Sequence, residues 1–349
     1  MAPRLWYMNA DFEVELSHYE FELSQASGAY RPLPSYEALN RRLALHLLWL
    51  ASAGDALLMR EPWPEQQRIE AERRGVRLVS PERPESSLAT HQFTPWGWTP
   101  SALEAGERAG AVVSRAAPLE VVARLNSKLW SHALEVELGW AQPGAATAAT
   151  FAELLEAVKR ACPAANDKWV IKSPFGFAAR ERVLGRGPLL DGPQAKWSER
   201  RLKNGETLIF QPWLDVVREY GVVLVIERDG AQRIEGFSDL QTNGAGTGKG
   251  YLLGRQPAPQ RAAELEEIAR VVGARLFREG YHGPVGIDAL EHAGGLHRLL
   301  EINARYTMGF VAVAVERELK PATPMFWNTK ENKKNSADTA SCQGSPETA

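Results

Sequence analysis

Two acidic residues near the C-terminal end, Asp288 and Glu301, sit in β-like runs on either side of Gly294 and Gly295. A Gly-Gly pair suits a two-residue hairpin turn, because both central positions of that turn need positive φ. With the turn there, Asp288 faces Glu301 directly, and Asn303 shares their side of the ribbon with Gly286 opposite it. The pairs Leu290/Leu299 and His292/His297 complete that side. Directly opposed side chains lie about 5 Å apart at Cβ, and like charges there destabilise a sheet unless something neutralises them. A divalent cation would do so. Two carboxylates and an amide oxygen suit a hard ion such as Mg²⁺, which keeps waters and shares phosphate oxygens with a nucleotide. The missing side chain of Gly286 leaves room beside them. The alternative is a pair of separate, solvated acids on a hairpin whose turn lies elsewhere, since a one-residue slip moves one of them to the other face.

Lysines supply the second kind of chemistry. Lys172 ends the apolar run Trp169-Val-Ile and precedes Ser-Pro-Phe-Gly176, so it either reaches water or meets a phosphate beside a glycine-containing loop. Lys128 lies in a helical pattern, where a solvated role is the ordinary one. Other features are weaker. The stretch 243–250 fails the phosphate-loop pattern, which needs Gly at 243 and Ser or Thr at 250. His292 and His297 flank the expected turn, where histidines are usually solvated. Trp96 and Trp98 either line a groove or pack at a sheet edge.

The elements that must hold these residues follow from periodicity. The first third reads as strands at 4–8, 55–59 and 75–79 alternating with helices at 35–53 and 65–74, the rhythm of a parallel α/β layer. Residues 94–100 carry too many breakers for regular structure, and a helix follows from Ser101. One helix runs from Pro118 through Lys128 to Leu138. A Gly/Ala-rich linker covers 139–149, and Thr150 to Glu153 forms a capping box opening a helix to Arg160. Strands follow at 168–173, 207–212, 220–228 and 233–238, then a helix at 262–279 and strands at 284–291 and 296–303. From Asn328 the sequence is polar and aperiodic.

Composition excludes several classes. The 349 residues are 44% hydrophobic and 24% charged, enough to bury two domain cores. A net charge of −2 offers no basic field for nucleic acid or an anionic membrane, so small-molecule or peptide partners are expected. The two cysteines, Cys162 and Cys342, form no framework and fit a reducing compartment. Asp11, Glu13 and Glu15 interrupt any signal-like apolar start, and the apolar run 43–50 is too short to span a membrane. The expected location is cytoplasmic.

Taken together, Gly-Ile-Asp288, the run Leu-Leu-Glu301-Ile-Asn303-Ala-Arg305 and the two lysines resemble the ATP-grasp superfamily of carboxylate–amine ligases, across residues 118–308. The resemblance implies an α/β chain: a Rossmann-like pre-grasp domain at 1–117 and an ATP-grasp module at 118–325 with its small subdomain at about 140–210; the polar, aperiodic composition makes 326–349 the expected disordered tail. It implies that Asp288, Glu301 and Asn303 hold Mg²⁺, with Mn²⁺ an acceptable substitute, and that Lys128 and Lys172 contact the ATP phosphates. Gln211 and Trp213 match the hinge that holds adenine; Pro212 lacks an N–H, so the Trp213 N–H is the expected donor to the base. Glu219 matches a ribose-binding acid, with Asp215 as the alternative. Arg305 matches an arginine that stabilises charge in phosphoryl transfer, the other reading being a salt bridge to a nearby acid. The loop after Lys172 is poorer in glycine than the family norm, and Arg180 or Arg182 would add charge there. The implied activity is an ATP- and Mg²⁺-dependent ligase that activates a carboxylate as an acyl phosphate for attack by an amine or similar nucleophile. A small-molecule kinase or a non-catalytic nucleotide-binding protein of the same fold are the alternatives.

Overall fold

A computed structural model describes residues 2–21, 30–83, 86–115, 117–176 and 181–329. Arg180 and residues 330–349 of the expected tail lie outside the described residues.

Four short strands, β1 (Arg4–Tyr7), β2 (Ala56–Leu58), β3 (Arg77–Val79) and β4 (Gln92–Pro95), form a parallel sheet in the order β3-β2-β1-β4. Helices α1 (Phe12–Phe21), α2 (Pro34–Ala44), α3 (Glu65–Arg73) and α4 (Pro100–Arg108) connect or follow the strands. The expected helix over 35–53 stops at Ala44 and continues as a 3₁₀ turn, Leu45–Trp49. Helix α1 escapes pattern reading because its first turns bury acids: Glu13 and Glu15 are among the most enclosed polar residues. Thr94 and Pro95, expected in a loop, end β4, where a proline is tolerated at a sheet edge. Trp96 and Trp98 are both buried in core packing.

The expected helix 118–138 is two helices, α5 (Leu119–Asn126) and α6 (Lys128–Glu137). Ser127 breaks it with ψ 130 and caps the second helix by accepting from the Leu129 N–H at 3.3 Å. Lys128 therefore starts a helix instead of lying inside one.

The small subdomain contains β5 (Ala146–Ala148), α7 (Phe151–Ala161), β6 (Lys168–Lys172), β7 (Arg182–Arg186), α8 (Gly192–Lys203) and β8 (Leu208–Pro212), with the antiparallel strand order β5-β8-β6-β7. The Thr150/Glu153 capping box is present. Strand β5 occupies part of the expected linker.

The large sheet contains β9 (Val216–Ile226), β10 (Gln232–Thr242), β11 (Gly248–Leu253), β12 (Gly283–His292), β13 (Gly295–Asn303) and β14 (Met325–Asn328), with α9 (Pro259–Arg278) and α10 (Met308–Leu319). Its order is β13-β12-β9-β10-β11-β14. Strand β14 corrects the expected tail at 326–328: these residues pair with 250–252. Gly250 allows that close pairing, because a Cβ there would lie 2.3 Å from the Trp327 carbonyl oxygen. Strand β13 is the other edge, and its outward N–H groups need partners. Ser131 Oγ accepts from the Ile302 N–H at 3.3 Å and Asn126 Oδ1 from the Ala304 N–H at 2.9 Å, which lays α5 and α6 along β13.

Candidate active site

The hairpin turns at Ala293 and Gly294, one residue earlier than expected, with His292 opposite Gly295. Only Gly295 of the glycine pair has positive φ, at 124°. That shift alone would put Asp288 opposite the wrong residue. A bulge restores the register: residues 298–300 face Ala289, so Leu290 pairs with His297 while Asp288 pairs with Glu301 and Gly286 with Asn303. The expected Leu290/Leu299 and His292/His297 pairings are therefore wrong, and the Asp288/Glu301 pairing is right.

Ile287, Ala289 and Ile302 point into the main core, which turns Asp288, Glu301 and Asn303 to the opposite face. Gly221 on β9 pairs with Asp288, so Glu219, two residues away, projects from that same face. The space beside Gly286 is not open to a ligand: a Cβ there would lie 2.6 Å from the Thr307 methyl group.

Cations meet this face from neighbouring elements. Lys128 Nζ donates to Glu301 Oε1 at 2.8 Å and to the Gly176 carbonyl at 2.8 Å. Loss of solvent pulls the Lys172 ammonium down to about 8, with Glu301 opposing that fall and Lys128 and Arg182 adding to it. Burial pushes the Asp288 carboxyl up to about 8, reinforced by Glu301 and Glu219. Burial also raises Glu219 to about 7, against the pull of Lys172. These groups perturb one another because they share one desolvated pocket, a common property of functional sites. Arg182, the register partner of Lys172 on β7, belongs to the same field.

The oxygen donors fit a hard divalent cation. Asn303 Nδ2 donates to Asp288 Oδ2 at 3.2 Å, and Asn303 Oδ1 accepts from Arg305 at 3.0 Å, so the amide is held between the carboxylate and the guanidinium with its oxygen turned to Arg305. Among the described residues no three His, Cys, Asp or Glu side chains form a ready cation cage. Two carboxylates and an amide instead suit an ion that keeps waters and shares phosphate oxygens. Arg305 also donates to Glu13 Oε1 and to the Tyr306 carbonyl, so the salt bridge and the contact with the carboxylate site are both present.

The hinge differs from expectation. Gln211 is buried in β8. The Trp213 N–H donates to the Lys168 carbonyl at 2.8 Å, extending the β6–β8 pairing, and is not free for a base. The next amide, that of Leu214, donates to no backbone carbonyl among the described residues. Asp215 pairs with Lys168 at 2.7 Å, while Glu219 lies in the charged pocket. A cavity of about 460 Å³ is lined by Lys168, Leu184, Arg186, Trp213 and Gly244. Lys168 and Lys172 share a face of β6, about 13 Å apart at the usual rise per residue. That is enough to separate a base from its terminal phosphates.

One cluster was missed by sequence reasoning. His132 and Glu135 follow Lys128 by four and seven residues on one face of α6, a spacing that could have revealed them. His297 is buried, not solvated, because the bulge turns it against α6; its Nε2 lies 3.1 Å from Glu135 Oε1. Desolvation pulls the imidazole from 6.5 to about 4, so it is neutral at pH 7. Between those values the unfolded chain binds the extra proton, so stability falls as pH drops from about 6.5 to 4. Glu135, raised by burial, works in the opposite direction. Thermal melts across that window are expected to show a shallower loss for His297→Gln than for the wild type.

No family model and no curated protein sequence matches the chain. Solved structures do. The biotin carboxylase domain of Hydrogenobacter thermophilus 2-oxoglutarate carboxylase, in complex with MgADP, ADP and bicarbonate, matches with a TM-score of 0.52 at 11% identity, over 79% of this chain and 66% of that one. Rhizobium etli pyruvate carboxylase gives 0.52 at 13%, over 79% of this chain and 26% of that one. Staphylococcus aureus N5-carboxyaminoimidazole synthetase gives 0.50 at 10%, over 79% and 74%. The chain thus spans less than two thirds of the length of several such proteins, including 65% of the same staphylococcal synthetase in a complex with ADP. At these identities the likeness concerns architecture, and the architecture is plain: a parallel α/β layer, a small antiparallel subdomain and a large antiparallel sheet, which make this chain a bearer of the ATP-grasp fold.

Proposed function

We propose that the protein is an ATP- and Mg²⁺-dependent ligase that activates a substrate carboxylate as an acyl phosphate for attack by an amine or similar nucleophile. The observation that carries this reading is the meeting of Asp288, Glu301 and Asn303 with Lys128 and Lys172 in one pocket, from four separate elements. Bound MgATP would supply the activated phosphoryl group. Asp288, Glu301 and Asn303 would hold the cation, and Lys172, Lys128 and Arg182 would neutralise phosphate charge. The cavity beside Trp213 would take the base, with the Leu214 N–H as its donor in place of Trp213. Arg305 would act by holding the Asn303 amide. Catalysis of this kind is positioning and charge neutralisation, so no side-chain nucleophile is needed.

The MgADP and bicarbonate of the thermophile carboxylase domain support the nucleotide and carboxylate parts of this reading. In it, residues 1–117 help to form the acceptor side and 118–325 hold the nucleotide, with a small carboxylate and an amine or peptide as substrates. The reading includes a cytoplasmic location, where ATP is supplied; no helix among the described residues is long and apolar enough to cross a membrane. The test is ATP turnover with amino acids, dipeptides and small carboxylates, with and without Mg²⁺. ADP, phosphate and a conjugate are expected. A stable phosphorylated product would identify a kinase instead, and nucleotide binding without turnover a regulatory protein.

A further inference from the structure

We propose that Lys128 is a displaceable counter-ion that couples cation binding to nucleotide binding, because its ammonium and a divalent cation compete for the same oxygen of Glu301. The inference rests on the reading above, in which the pocket takes a nucleotide with its cation. Lys128 is tied at both ends: its backbone N–H donates to the Pro174 carbonyl at 2.9 Å, and its Nζ to the Gly176 carbonyl and to Glu301 Oε1. It thus bridges the segment after β6 to the carboxylate face of the large sheet.

An ammonium has three donors, and two of them are engaged here. A cation reaching Glu301 Oε1 by itself must displace the ammonium, leaving a charge whose side chain is only 13% exposed without its carboxylate partner. A polyphosphate arriving with the cation offers that ammonium new acceptors. Each ligand therefore lowers the cost of admitting the other, and the coupling is reciprocal in their binding constants. Arg182 and Lys172 lie in the same field, but among the described residues it is Lys128 whose ammonium hydrogen-bonds Glu301, which makes it the direct competitor.

The test uses Mn²⁺ as probe, with binding to the full chain followed by the loss of the free-ion electron paramagnetic resonance signal. Without nucleotide, Lys128→Met and Lys128→Gln are expected to bind Mn²⁺ about 10-fold more tightly than the wild type, within the usual span of coupling between sites. Lys128→Gln keeps a donor for the Gly176 carbonyl, so it covers the case in which the methionine variant does not fold. The enhancement of ADP affinity by Mn²⁺ is expected to shrink by the same factor in both. Equal or weaker Mn²⁺ binding by the folded variants would overturn the coupling. Failure of the wild type to bind ADP with or without Mn²⁺ would overturn the nucleotide reading itself, which is a separate outcome.

Discussion

Glu301→Gln is expected to lower Mg²⁺-dependent ATP turnover by at least about 100-fold, the scale of losing one preorganised electrostatic contact in an active site. ADP release measured across a Mg²⁺ titration reads it, and unchanged turnover would remove the proposed site. The glutamine keeps an oxygen for Lys128, so the fold survives while the carboxylate charge opposite Asp288 is lost. The alanine variant separates two arguments about stability. From the hairpin alone, removing one of two opposed acids relieves repulsion and leaves the protein as stable or more so. The structure reverses that expectation, because Glu301 is the acceptor for the Lys128 ammonium. Glu301→Ala strands that charge and is expected to lower the unfolding free energy by about 1–3 kcal/mol, the usual penalty for an orphaned polar group.

Lys172→Met is expected to weaken ATP binding by about 100-fold, roughly the effect of removing a charge-assisted bond from a desolvated pocket. It is also expected to raise thermal stability at pH 7. Desolvation pulls the Lys172 ammonium from 10.5 to about 8, so below about 8 the folded state holds a charge that it disfavours. Between about 8 and 10.5 the unfolded chain binds more protons than the folded one, and wild-type stability rises with pH. The gain from methionine is therefore largest at neutral pH and fades towards pH 10. Its ceiling is about 3 kcal/mol from that shift, reduced because Glu219 and Glu301 lose a neighbouring cation. Isothermal titration with ATP and melts at pH 7 and 10 give both readings. A variant that is less stable at pH 7 and still binds ATP normally would show that Lys172 does not face the phosphates. Such a trade of stability for function is common where a site needs a poorly solvated charge.

Both predictions draw on residues that could be named from the sequence, and the reason is local. The two-residue period of a strand puts Asp288 on the side away from Ile287 and Ala289, and Glu301 and Asn303 on one side of β13. The parallel layer at the N-terminus was legible for the same reason: its strands are short apolar runs separated by helical patterns. The turn and the bulge were not. The turn came one residue early and residues 298–300 bulged, so the correct pairing of Asp288 with Glu301 arose from two departures that cancel.

What only the tertiary structure decided are contacts between residues distant in the chain. Lys128 reaches Glu301 across 173 positions, and Arg305 reaches Glu13 across 292. No periodicity encodes such meetings. The helix break at Ser127, the loss of the Trp213 N–H to β6 and the burial of His297 against Glu135 depend likewise on which element lies alongside. Residue order determines side and spacing within one strand or helix, because backbone geometry repeats there. Packing decides which charge faces which, because that follows from how separate surfaces close and exclude water.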